Sequence, residues 1–119
     1  MSKLVDELIE RKKKNEKYFK NYREYALKIK EISKQSLKDP RVLVFGSVVK
    51  GNWIPNKSDI DVLIISESVV NKATWLNDQK IRILKQIADL DSPFQLHFAT
   101  PEVYREWYEK FIRDSYIEV

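Results

Sequence analysis

Cysteine is absent from the 119 residues. Disulfides and thiolate zinc sites are therefore unavailable, which suits a cytoplasmic protein. No apolar run approaches the roughly 20 residues of a membrane helix. The N-terminus, MSKLVDELIERKKK, also lacks the apolar core of a signal peptide. Histidine occurs once, at His97, and glycine twice, at Gly46 and Gly51. Nothing between Lys3 and Leu37 is glycine or proline, so that segment allows one long helix or two abutting ones. There is no internal repeat and no low-complexity stretch. The length fits one small domain with one core.

Charge is abundant, at 34% of residues, but unevenly spread. Residues 1–38 carry 12 Lys or Arg against 6 Asp or Glu, whereas the other 81 carry 10 against 12. The overall charge of +4 thus belongs to the N-terminal segment, densest at Arg11 to Lys14. Such a run is most simply a solvated helix face, although nucleic acid phosphates or an acidic protein would also suit it. A nucleic-acid-binding role is not favoured, because no recognised readout motif accompanies the charge.

The segment from Val42 to Ile65, VLVFGSVVKGNWIPNKSDIDVLII, carries the chemistry. Val42 to Phe45 and Ile60 to Ile65 read as buried strands. Gly46-Ser47 ends the first strand sharply, presenting a small side chain and backbone amides to an approaching anion. Asp59 and Asp61 share one face of the second strand because side chains alternate. Two neighbouring carboxylates repel unless a cation lies between them. Hard oxygen ligands of this kind suit Mg²⁺ completed by waters and substrate phosphates. The plainer alternative is a solvated strand end beside an ordinary turn.

Gly46, Ser47, Lys50, Gly51, Ser58, Asp59 and Asp61 resemble the G-S-x-x-[RK]-G…S-D-x-D signature of the DNA polymerase beta-like nucleotidyltransferases. The small size points to the minimal nucleotidyltransferases among them. The signature spans 16 residues, with eleven between Ser47 and Asp59. The resemblance implies a nucleotidyltransferase fold over about Asp39 to Tyr108. It further implies that Gly46 and Ser47 hold a nucleoside triphosphate, ATP favoured, while Asp59 and Asp61 bind Mg²⁺. The implied reaction transfers a nucleoside monophosphate, AMP favoured, to a hydroxyl. Relatives of this kind often pair with a small helical protein of the HEPN class in toxin–antitoxin systems, and some adenylylate that partner.

One departure bears on activity. The resemblance calls for a third carboxylate on a later strand, and the expected later strand is Phe94 to Phe98, FQLHF. Gln95 occupies that position, and an amide neither takes a proton at neutral pH nor binds metal as a carboxylate does. His97 shares the face of Gln95; it either substitutes as base or, more plainly, hydrogen-bonds at the sheet surface. Enzyme activity is thus expected but weakened. The alternative is a binding protein that keeps the pocket and acts as antitoxin-like partner of a HEPN-class protein.

Lys50 and Lys57 bracket the intervening loop and would balance triphosphate charge, with Ser58 in the same signature. Trp53 either stacks on a base or packs onto the loop's own apolar residues, the second being the plainer reading. Around the site, Phe19, Tyr22, Tyr25, Ala26, Ile29 and Ile32 form a helical stripe expected to cover the sheet. Leu4, Val5, Leu8 and Ile9 form a second patch beyond it, suited to a protein partner, a homo-oligomer or the chain's own C-terminal helix. Asn71 to Leu90 reads as a helix that buries Trp75, Leu84, Ile87 and Ala88, broken at Asp91-Ser92-Pro93. Thr100-Pro101-Glu102 starts a last helix with Val103, Trp107, Phe111 and Ile112 on its apolar side. The expected architecture is α/β (α+β): a small mixed β-sheet covered by helices. Residues 1–38 form a helical segment packed on a core of residues 39–119.

Overall fold

The two apolar runs at the centre of the sequence become the two central strands. In the computed structural model, which describes residues 2–54, 57–87, 92–113 and 115–119, β1 (Arg41–Phe45) pairs antiparallel with β2 (Ile60–Ile65). β3 (Phe94–Ala99) lies parallel to β2, and β4 (Tyr116–Glu118) lies antiparallel to β1, giving the order β3-β2-β1-β4. The parallel pair requires a crossover, which the helix Ala73–Ile87 supplies. The fold is therefore a mixed sheet with helices, as the sequence predicts, with a fourth strand that it does not.

Alternation divides each central strand between two layers. Val42, Val44, Val62 and Ile64 face a core completed by Phe19, Tyr25, Ala26, Ile29 and Ile83. Leu43, Phe45, Leu63 and Ile65 face a smaller one with Tyr104 and Ile112. Both sides of β1 and β2 are buried, which explains their nearly continuous apolar sequence.

The N-terminal segment resolves into α1 (Lys3–Lys20) and α2 (Tyr22–Ser33). Asn21 makes the break without glycine or proline. Its amide and its side-chain Nδ2 both donate to the Lys17 carbonyl, and its own carbonyl receives the Glu24 and Tyr25 amides. One residue thus ends one helix and begins the next, a local competition typical of asparagine. The expected stripe covers the sheet: Phe19, Tyr25, Ala26 and Ile29 are buried, with Tyr22 and Ile32 packed beside them. Tyr18, Tyr25 and Phe94 meet at centroid distances of 5.0 to 5.6 Å, tying the α1–α2 junction to β3. Residues 2–13 are exposed throughout, including Leu4, Val5, Leu8 and Ile9, so that patch does not fold back onto the C-terminal helix.

The C-terminal half departs from expectation in three places. Counting from the site, α3 (Ser47–Lys50) is a single turn after β1, and the crossover helix is α4. In α4 the fully buried residue is Ile83, while Trp75, Leu84 and Ile87 are only partly buried; Ala88 lies outside the described residues. The last helix begins as expected at α5 (Pro101–Val103), where Thr100 Oγ1 accepts from the Val103 amide at 3.3 Å. It widens into a π-helical segment (Tyr104–Tyr108) and closes as α6 (Glu109–Ile112). Its buried side is Tyr104 and Ile112, whereas Val103, Trp107 and Phe111 are exposed. The apolar side is therefore rotated by one residue from the predicted one. Finally, Phe94–Ala99 is not the last strand, because β4 follows it.

β4 is held by side-chain contacts as well as by pairing. Arg41 Nε and Nη2 donate to the two Glu118 carboxylate oxygens at 3.0 and 2.8 Å, and Lys30 Nζ donates to the Val119 carbonyl at 2.8 Å. The Arg41 hydrogen bond, outweighing partial burial, holds the Glu118 carboxyl below its ordinary range. Its contribution is complete above the unfolded carboxyl pKa of about 4.3 and fades as pH falls through the lower folded value. The pair is more than a third exposed, so Glu118→Gln should cost less than about 1 kcal/mol at pH 7. Urea unfolding of both proteins at pH 7 and pH 3 should show the difference shrinking at the lower pH. A larger gap at pH 3 would contradict this account.

Candidate functional site

The site forms where β1 ends beside the start of β2. Asp61 pairs with Phe45 across the antiparallel ladder and with Gln95 across the parallel one. It occupies the same face as Leu63 and Ile65, one step beyond where the C-terminal helix covers that face. The carboxylate is thus carried on a buried strand yet remains partly open to solvent.

Gly46 makes this placement achievable. Its φ of 88° and ψ of −157° lie in a region that is essentially closed to residues with a side chain. A Cβ there would stand 2.9 Å from Asp61 Oδ2. Conformation and space both require glycine. The next turn, α3, is closed by the Val49 and Lys50 amides donating to the Gly46 carbonyl. The amides of Ser47 and Val48 precede those bonds at the head of the turn. Gly51 then caps α3 at φ 80°, with open space where its Cβ would be, so its requirement is conformational alone.

Gly46, Lys50 and Asp61 line one cleft of about 400 Å³ together with Phe45, Phe111, Ile112 and Ser115. Its size lies within the usual range for small-molecule sites, about 300–1,000 Å³. His97 lies beside it, with Nε2 3.2 Å from Asp61 Oδ1. Its ring also lies near Phe45 and Tyr108, at centroid distances of 5.6 and 6.2 Å. The surface hydrogen bond expected of His97 is therefore made to the candidate metal ligand itself.

The other predicted residues are less tightly gathered. Asp59 is exposed immediately before β2, and Lys57 is exposed in the preceding turn. The Ser58 hydroxyl accepts from the Ile54 amide at 2.9 Å, so it braces the loop. Ser47 is half-buried, and its carbonyl accepts from Gly51 and Asn52. Gln95 is exposed on the strand beside Asp61, about one 4.8 Å strand spacing away. Trp53 stacks on Phe19 of α1 at 4.7 Å and 15°, a contact not foreseen from the sequence. Phe111, Ile112 and Ser115 were not expected at the site. The sequence places Phe111 and Ile112 on one apolar side, although adjacent helical residues point about 100° apart.

The donor set is compatible with Mg²⁺. One oxygen of Asp61 approaches the Gly46 backbone at the cleft, and Asp59 lies two residues earlier. Among the described residues no group of three or more His, Cys, Asp or Glu comes together. A closed protein cage is thus not formed by them, but Mg²⁺ is ordinarily held by one or two carboxylates with substrate phosphates and water.

The nucleotidyltransferase domain family matches residues 26–114. The chain belongs to that family. A crystal structure of a proposed nucleotidyltransferase is 32% identical, covering 78% of this chain and 95% of the other, with a TM-score of 0.55. A second, from Sulfolobus solfataricus, is 15% identical over 89% of this chain and 82% of its own, with a TM-score of 0.48. No curated protein matches. In this nucleotidyltransferase domain, Gly46 and Asp61 are inseparable, because the glycine's missing side chain is the space the carboxylate fills.

Gly46→Ala should therefore be more damaging than Gly51→Ala. Gly51→Ala incurs a left-handed-region cost of about 1–2 kcal/mol, whereas Gly46→Ala meets both a backbone region closed to side chains and a collision with Asp61. Urea midpoints of the two variants provide the comparison, and equal losses would count against the close approach.

Proposed function

We propose that this nucleotidyltransferase domain binds a nucleoside triphosphate, ATP favoured, with Mg²⁺, and transfers its nucleoside monophosphate to a hydroxyl. The observation that carries this reading is the bare Gly46 backbone set against the Asp61 carboxylate, at a cleft that also contains Lys50. The Ser47 and Val48 amides, with Lys50 and Lys57, are the groups suited to the phosphates. Asp59 and Asp61 are the residues that would hold the metal. Bound there, Mg²⁺ would neutralise phosphate charge and favour in-line displacement. The acceptor oxygen then bonds to the α-phosphorus as pyrophosphate leaves, and the acceptor proton passes to a base.

His97 acts as a positioning residue in this scheme. Its Nε2 faces Asp61, and as a donor there it fixes the carboxylate but cannot take a proton at the same atom. Gln95 is in register with Asp61, which supports reading it as the residue that stands where the resemblance calls for a third carboxylate. Because an amide is a poor base, transfer by the native chain should be slow. The same observation favours a second reading: a nucleotide-binding protein that neutralises a helical HEPN-class partner by contact. The exposed apolar and basic face of α1 is the surface suited to a protein partner or second copy.

Transfer of label from α-³²P-ATP to acceptors in a cell lysate tests the enzyme reading. Labelling should require Mg²⁺, disappear in Asp61→Asn, and increase in Gln95→Glu, for which a general base typically contributes about 10²–10⁴-fold. Unchanged labelling by Asp61→Asn would sink the proposal. ATP binding without transfer, even by Gln95→Glu, would favour the non-catalytic reading.

A further inference from the structure

The large aromatic side chains of the C-terminal helix differ widely in burial, with Tyr108 half-buried. Tyr104 is buried, whereas Phe111 is 79% and Trp107 71% exposed on the adjacent side. Trp107 and Phe111 are four residues apart and, with Val103 and Tyr108, line an apolar groove of about 430 Å³. Phe111 also lines the cleft that contains Gly46, Lys50 and Asp61. It is thus the residue shared by a charged cleft and an apolar groove.

A nucleotide needs those two environments side by side: charge and backbone amides for its phosphates, and a flat apolar surface for its base. The aromatic residue of the signature loop does not supply the second, because Trp53 is stacked on Phe19. Phe111 has no comparable ring partner among the described residues, and its neighbour Ile112 is buried in the core. The buried neighbour anchors the turn of helix from which Phe111 projects.

We propose that Phe111, supported by Trp107, is the stacking platform for the base of the nucleoside triphosphate. This rests on the triphosphate reading above and adds the base-binding residue to it. Continuity with the cleft favours a nucleobase over a partner protein as the occupant of this face. Stacking uses the π-face common to all bases, so the platform favours purine nucleotides over bare polyphosphate without distinguishing adenine from guanine.

Calorimetric titration in Mg²⁺, using ATP, GTP and inorganic tripolyphosphate as ligands, tests the assignment. The wild type should bind both nucleotides more tightly than tripolyphosphate. Phe111→Ala should weaken ATP about 5- to 150-fold and leave tripolyphosphate unchanged, from the usual magnitude of base–aromatic stacking. Phe111→Tyr should restore binding, whereas Phe111→Leu, apolar but not flat, should not. The exposure of this side chain makes these variants compatible with folding, which a melting curve checks.

ATP bound equally by wild type and Phe111→Ala, with tripolyphosphate also bound, would overturn the platform while leaving the triphosphate site intact. Failure of both ligands on the wild type would overturn the site and the platform together. If Phe111→Ala instead converted a dimer to a monomer with ATP affinity unchanged, the face would be a contact between copies and the platform would be wrong.

Discussion

The approach of Asp61 to the Gly46 backbone is the constraint around which the site is built. β1 and β2 pair closely because both are apolar on both faces and packed between two layers of side chains. That pairing carries Asp61 to the end of β1, where any side chain on residue 46 would collide with it. The sharp turn into α3 and the open cleft beside Lys50 follow from the same glycine. Site geometry and core packing therefore depend on one another: loosening the β1–β2 pair would release the carboxylate from the backbone it faces.

The central strands were legible because burial on both sides gives a continuous apolar run, a pattern that short segments between turn residues express clearly. Less of the periphery could be read. The α1–α2 break depends on the hydrogen bonds of Asn21, which carry no signal as strong as glycine or proline. β4 is three residues long, too short for alternation to show, and is secured by the distant Arg41 and Lys30. The C-terminal helix contains apolar residues on two adjacent sides, so spacing alone could not tell Tyr104 and Ile112 from Val103, Trp107 and Phe111.

At the site, local chemistry was legible and long-range contact was not. Gly46 announces itself because few residues can turn so sharply after a strand, and Asp61 because a carboxylate interrupts an apolar run. The meeting of His97 with Asp61 depends on the register of β2 with β3, across 36 residues. Trp53 has no local feature that points to Phe19. Ser58 lies within the signature, yet its hydroxyl shapes the loop, which spacing cannot distinguish from a phosphate contact. The strand that carries Gln95 was clear from its sequence, whereas its pairing with Asp61 rests on the same β2–β3 register.

If Asp59 and Asp61 hold the metal as proposed, metal and nucleotide should be mutually dependent, because among the described residues no third carboxylate joins them and the phosphates would complete the ligand set. Electron paramagnetic resonance of Mn²⁺, standing in for Mg²⁺, measures this most directly when titrated with and without ATP. The account predicts weak binding of Mn²⁺ alone, much tighter binding with ATP, and loss of that enhancement in Asp61→Asn. Equally tight Mn²⁺ binding without nucleotide, or an enhancement untouched by Asp61→Asn, would contradict it.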